Sequence, residues 1–156
     1  MEDKTNIDKK VIVFQLKDEE YAVPVACVGS IERMQSITRV PQTAEFVRGV
    51  INLRGVVTPI IDLRVRFGMQ PAEDSESTRI IIVYIDEVEV GLVVDSANDV
   101  IDIQENAIEP APEVVGTVDV DYIDGVAKLE NRLLILLHLE NIVKSDDMKA
   151  LKIVEG

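Results

Sequence analysis

The segment GVINLRGVVTPIIDLRVRFG, residues 49–68, decides the fold prediction. Its apolar residues form two runs, and Arg54 and Gly55 separate them. Two β-branched runs divided by a turn that contains glycine predict a β-hairpin. The hairpin raises a question, because Arg54 puts a guanidinium at the tip of an otherwise apolar element. Arg54 is either a solvated turn residue or part of a surface that binds another protein.

Three further segments show the same pattern of two apolar runs around a short polar tip. They are VIVFQLKDEEYAVPV (residues 11–25), RIIIVYIDEVEVGLVVD (residues 79–95) and GVAKLENRLLILLHL (residues 125–139). Each is rich in β-branched or other large apolar residues, which favours short strands. The chain is therefore predicted to be mainly β, with four hairpins.

The four hairpins are related by an internal repeat. At a shift of 69 positions, Ile31 aligns with Val100. At a shift of 76 positions, Gly49 aligns with Gly125, and the apolar residues around them also match. A seven-residue insertion within EVVGTVDVDY, residues 113–122, accounts for the change of shift. Because the matches are mostly apolar, the repeat is a hypothesis of two similar halves.

Each half holds two hairpins and a middle segment, or about five short strands. A sheet that small must cover its own edges, which favours two small β-barrels side by side with a groove between them. The expected units are a flexible N-terminal arm (residues 1–10), a first five-stranded β-barrel (11–68), a connector (69–78), a second five-stranded β-barrel (79–142) and a short C-terminal helix or tail (143–156).

The composition limits the classes of function. The chain has 156 residues, of which 47% are hydrophobic, enough for a packed core. Its formal net charge is −13, from 29 acidic and 16 basic residues, which disfavours binding to nucleic acids or to anionic membrane surfaces. No apolar run approaches the roughly 20 residues of a membrane helix. Single residues Cys27 and His138 exclude a disulfide framework and a Cys/His zinc site, so we expect a cytoplasmic protein.

The sequence lacks the patterns of the common catalytic sites. It has no nucleophile elbow, no P-loop, no dinucleotide-binding glycine motif and no Cys-x-x-Cys pair. Cys27 follows an apolar strand without a basic neighbour in sequence, which is typical of an inert thiol. His138 lies within the apolar run LLILLHL, which favours a structural histidine. We therefore expect no enzymatic activity and no cofactor.

One segment offers carboxylates for a metal ion. In DVDYIDGVAKLE, residues 119–130, Asp119 and Asp121 hold the first and third positions and Glu130 the twelfth, as in a calcium-binding loop. The fifth position is Ile123, however, and the glycine falls at the seventh position instead of the sixth. Calcium binding by this segment is kept as an alternative function.

The opening hairpin leads to a known family. GVINLRGVVTPIIDLR, with FVRGV at its start, closely resembles the CheW family of chemotaxis coupling proteins. VFQLKDEEYAVPV, RVPQTAEFVRGVINLRG, IIIVYIDEVEVGLVVD and EPAPE resemble the same family in the same order. The resemblance runs from Val11 to about Leu151, which makes it far more specific than a short motif. It leaves no room for a receiver or kinase domain, so we expect a stand-alone coupling protein.

The resemblance implies a fold, a function and two partners. Members of the family fold as two five-stranded, SH3-like β-barrels that share a hydrophobic core and together make one CheW-like domain. They are non-enzymatic adaptors, or scaffolds, in a two-component signal-transduction system. They couple the cytoplasmic tip of methyl-accepting chemoreceptors to the regulatory domain of the histidine kinase CheA. That domain is itself CheW-like, so the two can alternate in rings within a receptor array.

The resemblance also implies site residues, carried over by position. The expected receptor-binding residues are Ile12, Val25, Val28, Ile31, Arg54 and Val100. The expected kinase-binding residues are Ser30, Arg48, Glu113 and Val114. An apolar groove suits the apolar side chains of a helical receptor tip, and an arginine at its rim can donate hydrogen bonds to carbonyls or carboxylates. The alternative is that the aliphatic residues fill the barrels and the arginine is solvated.

The sequence leaves two points open. Some relatives have an acidic residue where this chain has Ser30, so Arg54 lacks an ion-pair partner at that position. A second alternative function is a regulatory β-barrel that senses a small ligand in the groove. For that function the sequence offers mainly Arg54 as a polar group.

Overall fold

The computed structural model describes residues 8–111 and 118–143, which are mostly in strands. The strands in chain order are β1 (Asp8–Leu16), β2 (Glu19–Pro24), β3 (Val28–Arg33), β4 (Val47–Leu53), β5 (Val56–Asp62), β6 (Arg79–Ile85), β7 (Val88–Val94), β8 (Ser96–Gln104), β9 (Ile108–Glu109), β10 (Ile123–Leu129) and β11 (Arg132–Leu137). The helices are α1 (Leu63–Arg66) and α2 (Leu139–Ile142), and 3₁₀ turns occur at Val25–Cys27, Glu105–Ala107 and Val120–Tyr122. The four predicted hairpins are confirmed as β1–β2, β4–β5, β6–β7 and β10–β11.

The strands form two sheets. The first has the order β8-β1-β2-β11-β10-β9, and the second has the order β3-β6-β7-β5-β4. The predicted mainly β fold with two units is confirmed, but the barrels are not closed. In residues 8–111 and 118–143, no ladder joins β8 to β9 or β3 to β4. The second sheet nevertheless curls, because Thr38, after β3, and Val50, on β4, exchange backbone hydrogen bonds of 2.8 and 2.9 Å.

Each sheet takes a hairpin from the other half of the chain. Hairpin β1–β2 joins strands of the second half through the antiparallel pair β1–β8 and the parallel pair β2–β11. Hairpin β6–β7 joins strands of the first half through the pairs β3–β6 and β5–β7. The expectation that each half would close on itself is therefore wrong. The connector at residues 69–78 contains no strand or helix, and it separates the halves in sequence without separating the sheets.

Strand order and register confirm the internal repeat. Apart from β9, which has no equivalent, the two sheets have the same order when β1, β2, β3, β4 and β5 are exchanged with β6, β7, β8, β10 and β11. The β4–β5 and β10–β11 pairs also have bulges at equivalent places, beside Gly49 and Gly125. A Cβ at Gly49 would lie 2.1 Å from the carbonyl oxygen of Thr38, and one at Gly125 would lie 2.8 Å from that of Glu109. Both positions need glycine because another backbone segment passes close by.

Three apolar clusters stabilise the two sheets. The largest, here called the central core, lies between the sheets and contains residues of both, among them Phe14, Tyr21, Ile61, Ile81 and Leu137. A smaller cluster lines the opposite face of each sheet, because successive side chains of a strand point to opposite faces. On the first sheet it comprises Val11, Val13, Ala22, Ile103, Ala127, Leu134 and Leu136, and on the second Ile51, Leu53, Ile60, Ile80, Ile82 and Val93. The central core matches the shared core that the resemblance implies.

The ends of the described chain differ from the expected ones. Strand β1 begins at Asp8, within the segment that was expected to be a flexible arm. Helix α2 is only four residues long, and residues 144–156 of the expected C-terminal helix or tail lie outside the described residues. Across residues 8–111 and 118–143, no helix has the length and apolar character needed to cross a membrane.

Candidate functional site

A bulge in β3 puts two aliphatic side chains on one face of the second sheet. Val28 pairs with Val83, Ile31 pairs with Ile81, and the register shifts between these pairs at Gly29. Paired residues of neighbouring antiparallel strands point to the same face. Val28 and Ile31 therefore share the face of Ile81 and Val83, which belong to the central core. Without the bulge, residues three positions apart would point to opposite faces.

Strand β8, the repeat equivalent of β3, presents Val100 in the same way. Val100 pairs with Ile12 on β1, and Ile12 pairs in turn with Val23 on β2. Because Ile12 and Val23 belong to the central core, Val100 points to the core side of the first sheet. Ile31 and Val100 are equivalent in the repeat, and each lies on the first strand of its sheet order.

These side chains lie on or next to the two edge strands, on the side of the central core. Strand β6 pairs with β3 and also approaches β8, so β3 and β8 flank it. Val25 and Val28 are half-buried against the central core, and Ile12 is buried within it. Ile31 is 42% exposed and Val100 is 55% exposed. Five of the six predicted receptor-binding residues thus lie in the central core next to the edge strands or on the core side of those strands, and we call this region the groove.

Arg54 lies at the tip of the β4–β5 hairpin, which reaches β3 from the face opposite to the groove. Its φ is 53° and that of Gly55 is 85°, and the turn is closed by the Gly55 N–H, which donates to Oδ1 of Asn52 at 2.8 Å. The guanidinium donates to Oε2 of Glu32 on β3 at 3.2 Å. Glu32 points to the face of β3 opposite to Ile31. The Arg54 side chain is 69% exposed, so the ion pair leaves most of it accessible to solvent.

Glu32 is the ion-pair partner that the sequence reasoning missed. The resemblance points to an acidic residue only at position 30, where this chain has Ser30. Ser30 and Glu32 lie on the same face of β3, so an acidic residue at either position points towards the Arg54 hairpin. The signal in the sequence is the period of two within β3. The resulting ion pair joins β3 to the β4–β5 hairpin across the curled second sheet.

Two of the four predicted kinase-binding residues lie within the described residues. Ser30 is half-buried, and in residues 8–111 and 118–143 no hydrogen-bond partner reaches its hydroxyl. Glu113 and Val114 lie outside the described residues. Only Ser30 and Arg48 can therefore be located, and they lie on different strands, β3 and β4.

The Arg48 guanidinium lies between two carboxylates. Its Nε donates to Oδ2 of Asp62 at 3.2 Å, and its Nη1 lies 3.0 Å from Oδ1 of Asp74 in the connector. Asp62 is buried and also accepts a bond from the Val65 N–H at the start of α1. These groups line a cleft of about 710 Å³ beside the connector. Arg48 is thus held in place at the mouth of a polar concavity.

The segment considered for calcium binding is a turn followed by a strand. Asp119 caps the 3₁₀ turn Val120–Tyr122, and its Oδ1 accepts from the Asp121 N–H at 2.9 Å. Ile123–Leu129 then forms β10, whose backbone pairs with β11 and β9. Within the two described ranges, no group of three or more His, Cys, Asp and Glu side chains is placed to hold a metal ion. The geometry of an ion-binding loop is therefore missing from this segment.

An ion pair fixes the start of β8, the strand that carries Val100. The Nε of Arg64 donates to Oδ1 of Asp95 at 2.9 Å, and the Lys17 N–H donates to Oδ2 at 2.8 Å. Burial alone would raise the pKa of Asp95, but the hydrogen bonds from Arg64 and Lys17 and the Arg64 charge hold that pKa below its ordinary value. The hydrogen bond to Asp95 is also the main reason that the pKa of Arg64 is raised. Both groups are therefore charged at neutral pH.

Arg132 and Tyr21, whose pKa values are also raised, make contacts that support the first sheet. Arg132 on β11 donates to both carboxylate oxygens of Glu20 at 3.1 and 3.0 Å and to Asp99 on β8 at 3.2 Å. The hydrogen bond to Glu20, followed by that to Asp99, raises the pKa of Arg132. Burial, and then the hydrogen bond to Glu19, raises the pKa of the Tyr21 phenol far above its usual range. These contacts connect β2, β8 and β11 and keep the edge strand β8 in register.

Proteins of one family resemble this chain over most of its length. A family model described as a CheW-like domain matches residues 10–147. The chain is 44% identical over 142 residues to the chemotaxis protein CheW of Bacillus subtilis, a match that covers 91% of each protein. It is 37% identical to the chemotaxis protein CheW of Klebsiella aerogenes, over 91% of this chain and 86% of that protein. Among solved structures, the scaffolding protein TtCheW from Thermoanaerobacter tengcongensis matches with a TM-score of 0.84 and 39% identity, over 90% of this chain and 96% of that one.

Proposed function

The chain belongs to the CheW-like family and is a chemotaxis coupling scaffold, and from this premise we propose which of its surfaces bind its partners. The groove binds the cytoplasmic tip of methyl-accepting chemoreceptors, and separate surfaces bind the regulatory domain of the histidine kinase CheA. The protein links these partners without catalysing a reaction. Because the receptor tip is cytoplasmic, the proposal includes a cytoplasmic location.

The observation that carries the proposal is the exposure of apolar side chains on the core side of the edge strands β3 and β8. Ile31 and Val100 project from the core side of their sheets and are about half exposed. An amphipathic helix buries its apolar side chains in a groove of this kind. Complete burial of one aliphatic side chain contributes about 1.5–3 kcal/mol. Covering the exposed halves of both residues therefore supplies a useful part of the roughly 8 kcal/mol of a micromolar complex.

The pair of Arg54 and Glu32 supplies a polar contact at the same edge of the second sheet, on the other face of β3. An exposed ion pair contributes only about 0.2–1 kcal/mol to stability. Its larger effect is to hold the guanidinium in one position, so that less side-chain entropy is lost when a partner binds. A guanidinium has five N–H donors, so Arg54 can donate to Glu32 and to a receptor carbonyl or carboxylate at the same time.

The kinase contacts are proposed at Ser30 and Arg48 on one surface and at Glu113 and Val114 on another. The resemblance supports all four positions, and the held guanidinium of Arg48 is the structural feature that favours one of them. A guanidinium between two carboxylates is already oriented, which suits a rim contact to a carboxylate or carbonyl of the kinase. Two separate kinase surfaces would allow the scaffold and the kinase to alternate in a ring.

The receptor proposal is tested by comparing equally exposed aliphatic residues. Ile31→Asp and Val100→Asp should each weaken the binding of a receptor cytoplasmic fragment by about tenfold or more, because a charge enters an apolar contact. Leu133→Asp is the matched control, since Leu133 on β11 is 52% exposed and lies outside the groove. Calorimetric titration of each variant with the same receptor fragment measures the affinities.

The CheA regulatory domain serves as the second ligand in the same assay. Val100→Asp should retain the binding of this domain, whereas Val114→Asp should weaken it and retain the binding of the receptor fragment. Equal losses of receptor binding in Leu133→Asp and Val100→Asp would reject the groove as the receptor site. Parent-like receptor binding by both groove variants would reject it as well.

A further inference from the structure

The Arg48 guanidinium is bound on one side by a buried carboxylate and on the other by an exposed one. On the inner side, its Nε donates to Oδ2 of Asp62 at 3.2 Å, and its Nη2 lies 3.1 Å from the same oxygen. On the outer side, its Nη1 lies 3.0 Å from Oδ1 and 3.1 Å from Oδ2 of Asp74. The Asp62 side chain is 7% exposed, whereas that of Asp74 is 42% exposed. The two carboxylates therefore differ strongly in their contact with water.

The contact with Asp62 belongs to the framework of the fold. Asp62 is the last residue of β5, and its Oδ1 accepts from the Val65 N–H at the start of α1 at 3.4 Å. Its own N–H donates to the carbonyl oxygen of Phe46 at 2.8 Å. Breaking a buried ion pair leaves an uncompensated charge in the interior, which is strongly destabilising. Arg48 therefore keeps its contact with Asp62 when a partner binds.

The contact with Asp74 belongs to a segment that has few other attachments. Asp74 lies in the connector, residues 69–78, which contains no strand or helix. Among the residues that the structure describes, only the bond from Arg48 joins residues 70–74 to a strand. An exposed ion pair changes an equilibrium constant by a factor of only about 1.5 to five. Asp74 can therefore leave Arg48 at little cost in free energy.

Arg48 and Asp74 both line the cleft beside the connector, whose volume is about 710 Å³. A cleft of this size accepts one or two side chains of a partner. Part of its wall is apolar, and its other two charged residues, Arg39 and Glu45, have opposite signs. A partner carboxylate that enters the cleft competes with Asp74 for the outer side of Arg48. While Asp74 stays in place, its negative charge also repels that carboxylate.

We propose that Asp74 occupies the site of a kinase carboxylate in the free protein, and that the kinase regulatory domain displaces it from Arg48. The proposal rests on the proposed kinase contact at Arg48 and names the group that this contact receives. A carboxylate fits best, because it makes charge-assisted hydrogen bonds to a guanidinium and leaves the charge of the site unchanged after the exchange. A basic side chain of the partner would instead be repelled by Arg48. Asp74 thus lowers the affinity of this surface for the kinase.

The affinity for the CheA regulatory domain gives the first test. Asp74→Asn removes the competing charge, so this variant should bind the domain about two- to fivefold more tightly than the parent. Glu73→Gln is the matched control, because it removes the same charge from an exposed residue of the same connector. Among the described residues, the carboxylates that pair with Arg48 are those of Asp62 and Asp74, so Glu73→Gln should bind as the parent does. Calorimetric titration measures these affinities.

A double-mutant cycle assigns the effect to Arg48. Arg48→Gln alone should weaken the binding of the CheA regulatory domain by about tenfold or more, because a charge-assisted contact is lost. In the Arg48→Gln background, Asp74→Asn should have no further effect, since the group for which Asp74 competes is absent. Arg48→Gln leaves the buried Asp62 without this partner, so its melting temperature is measured as well. Asp74 is exposed, and Asp74→Asn should melt as the parent does.

The displacement itself can be measured between two spin labels. Ala72 in the connector and Lys128 on β10 are exposed, and Cys27→Ala removes the native thiol. With labelled cysteines at positions 72 and 128, the free parent should give one narrow distance distribution, and Asp74→Asn should broaden it. A saturating amount of unlabelled CheA regulatory domain should shift or broaden the parent distribution. A receptor fragment should leave it unchanged.

The outcomes separate this proposal from the proposed function. The proposal is overturned if Asp74→Asn binds the kinase domain no more tightly than Glu73→Gln, or if its gain in affinity persists without Arg48. It is also overturned if the parent distance distribution stays the same when the kinase domain is bound. In each of these cases, weaker binding by Arg48→Gln would still support the kinase contact. Parent-like binding by Arg48→Gln would reject that contact and, with it, the competition by Asp74.

Discussion

The tips of the β4–β5 and β10–β11 hairpins are equivalent in the repeat but carry opposite charges. Arg54 corresponds to Glu130 at the shift of 76 positions. Its ion-pair partner Glu32 corresponds to Ile101 at the shift of 69 positions. Strand order, register and glycine bulges are alike in the two halves, whereas these residues differ. The repeat therefore gives the two halves the same strand framework but different side chains at their hairpin tips.

A second pair of equivalent positions shows the same contrast near the short helices. Arg48 donates to Asp62 in the first half, and at the corresponding positions Asp124 Oδ1 lies 2.6 Å from His138 Nδ1. Each pair connects a residue near the start of a strand to the residue just before α1 or α2. The contact is retained while the order of basic and acidic residues is reversed. The two halves therefore place different side chains at the same position of the fold, which suits two different contact surfaces.

The largest expected effect compares the two glycine bulges. Gly49→Ala should lower the free energy of unfolding by about 3 kcal/mol or more, because the new Cβ meets a backbone carbonyl and a φ of 144° is strained for alanine. Gly125→Ala should cost less, about 1–3 kcal/mol, since its closest backbone atom is farther away. Urea unfolding followed by circular dichroism measures both changes. Equal losses would show that the two bulges are equally tight.

The next effect compares the two hairpin tips. Arg54→Ala should change the free energy of unfolding by no more than about 0.5 kcal/mol, because the guanidinium is largely exposed. It should cost about 1–3 kcal/mol of receptor binding, a complex roughly five- to hundredfold weaker. Glu130→Ala is the matched control and should bind the receptor fragment as the parent does. Calorimetry and thermal melts measure the two quantities. Parent-like binding by Arg54→Ala would identify Arg54 as a solvated turn residue.

A smaller effect concerns the ion pair of Arg64 and Asp95. This pair also distinguishes the two halves, because the residue equivalent to Arg64 in the repeat is the acidic Glu140. Asp95→Asn should lower the free energy of unfolding at pH 7 by about 1.5–2 kcal/mol, because charge-assisted hydrogen bonds are weakened. The folded-state pKa of Asp95 lies below its unfolded value of about 3.9, so this stabilisation is complete above that pH. It is lost as the pH falls through the folded-state pKa.

The pH dependence gives the check on this prediction. Denaturant unfolding of parent and Asp95→Asn is compared at about pH 7 and at several values below about pH 4. The two proteins should become more alike as the solution becomes more acidic, because Asp95 is then protonated in the parent. A difference that stays constant over the whole range would show that the variant acts through packing and not through charge.

The smallest effect compares Ser30 with its repeat equivalent, Asp99. Asp99 accepts a hydrogen bond from Arg132 at 3.2 Å, whereas the buried Ser30 hydroxyl has no partner among the residues that the structure describes. Ser30→Ala should therefore raise the free energy of unfolding by up to about 1 kcal/mol. Thermal and urea unfolding measure the change. A loss of stability would show that the hydroxyl makes a bond that stabilises β3.

Local features of this protein were predictable from its sequence. The four hairpins were found because each depends on a short pattern of apolar residues around a turn. The repeat was found because it preserves Gly49 and Gly125, which another backbone segment approaches closely. The resemblance brought together the groove residues Ile31 and Val100, which alternation alone would not have connected.

Long-range features were not predictable in the same way. The exchange of hairpins depends on parallel pairs such as Tyr21 with Ile135, which leave no mark on the local pattern. The bulge at Gly29 reverses the alternation within β3, so simple periodicity assigns Val28 and Ile31 to opposite faces. Glu32 was missed because its role depends on how the second sheet curls and brings the β4–β5 hairpin towards β3.

The exchange of hairpins also governs how the chain can fold during synthesis. Strands β1 and β2 leave the ribosome first, but their partners β8 and β11 are made much later. The strands of the first half likewise wait for β6 and β7. Pairing between distant segments is slow, because the entropy of closing a long loop opposes it before any contact forms. The chain should therefore fold only after both halves are complete, as one cooperative unit, and neither half alone can act as an adaptor.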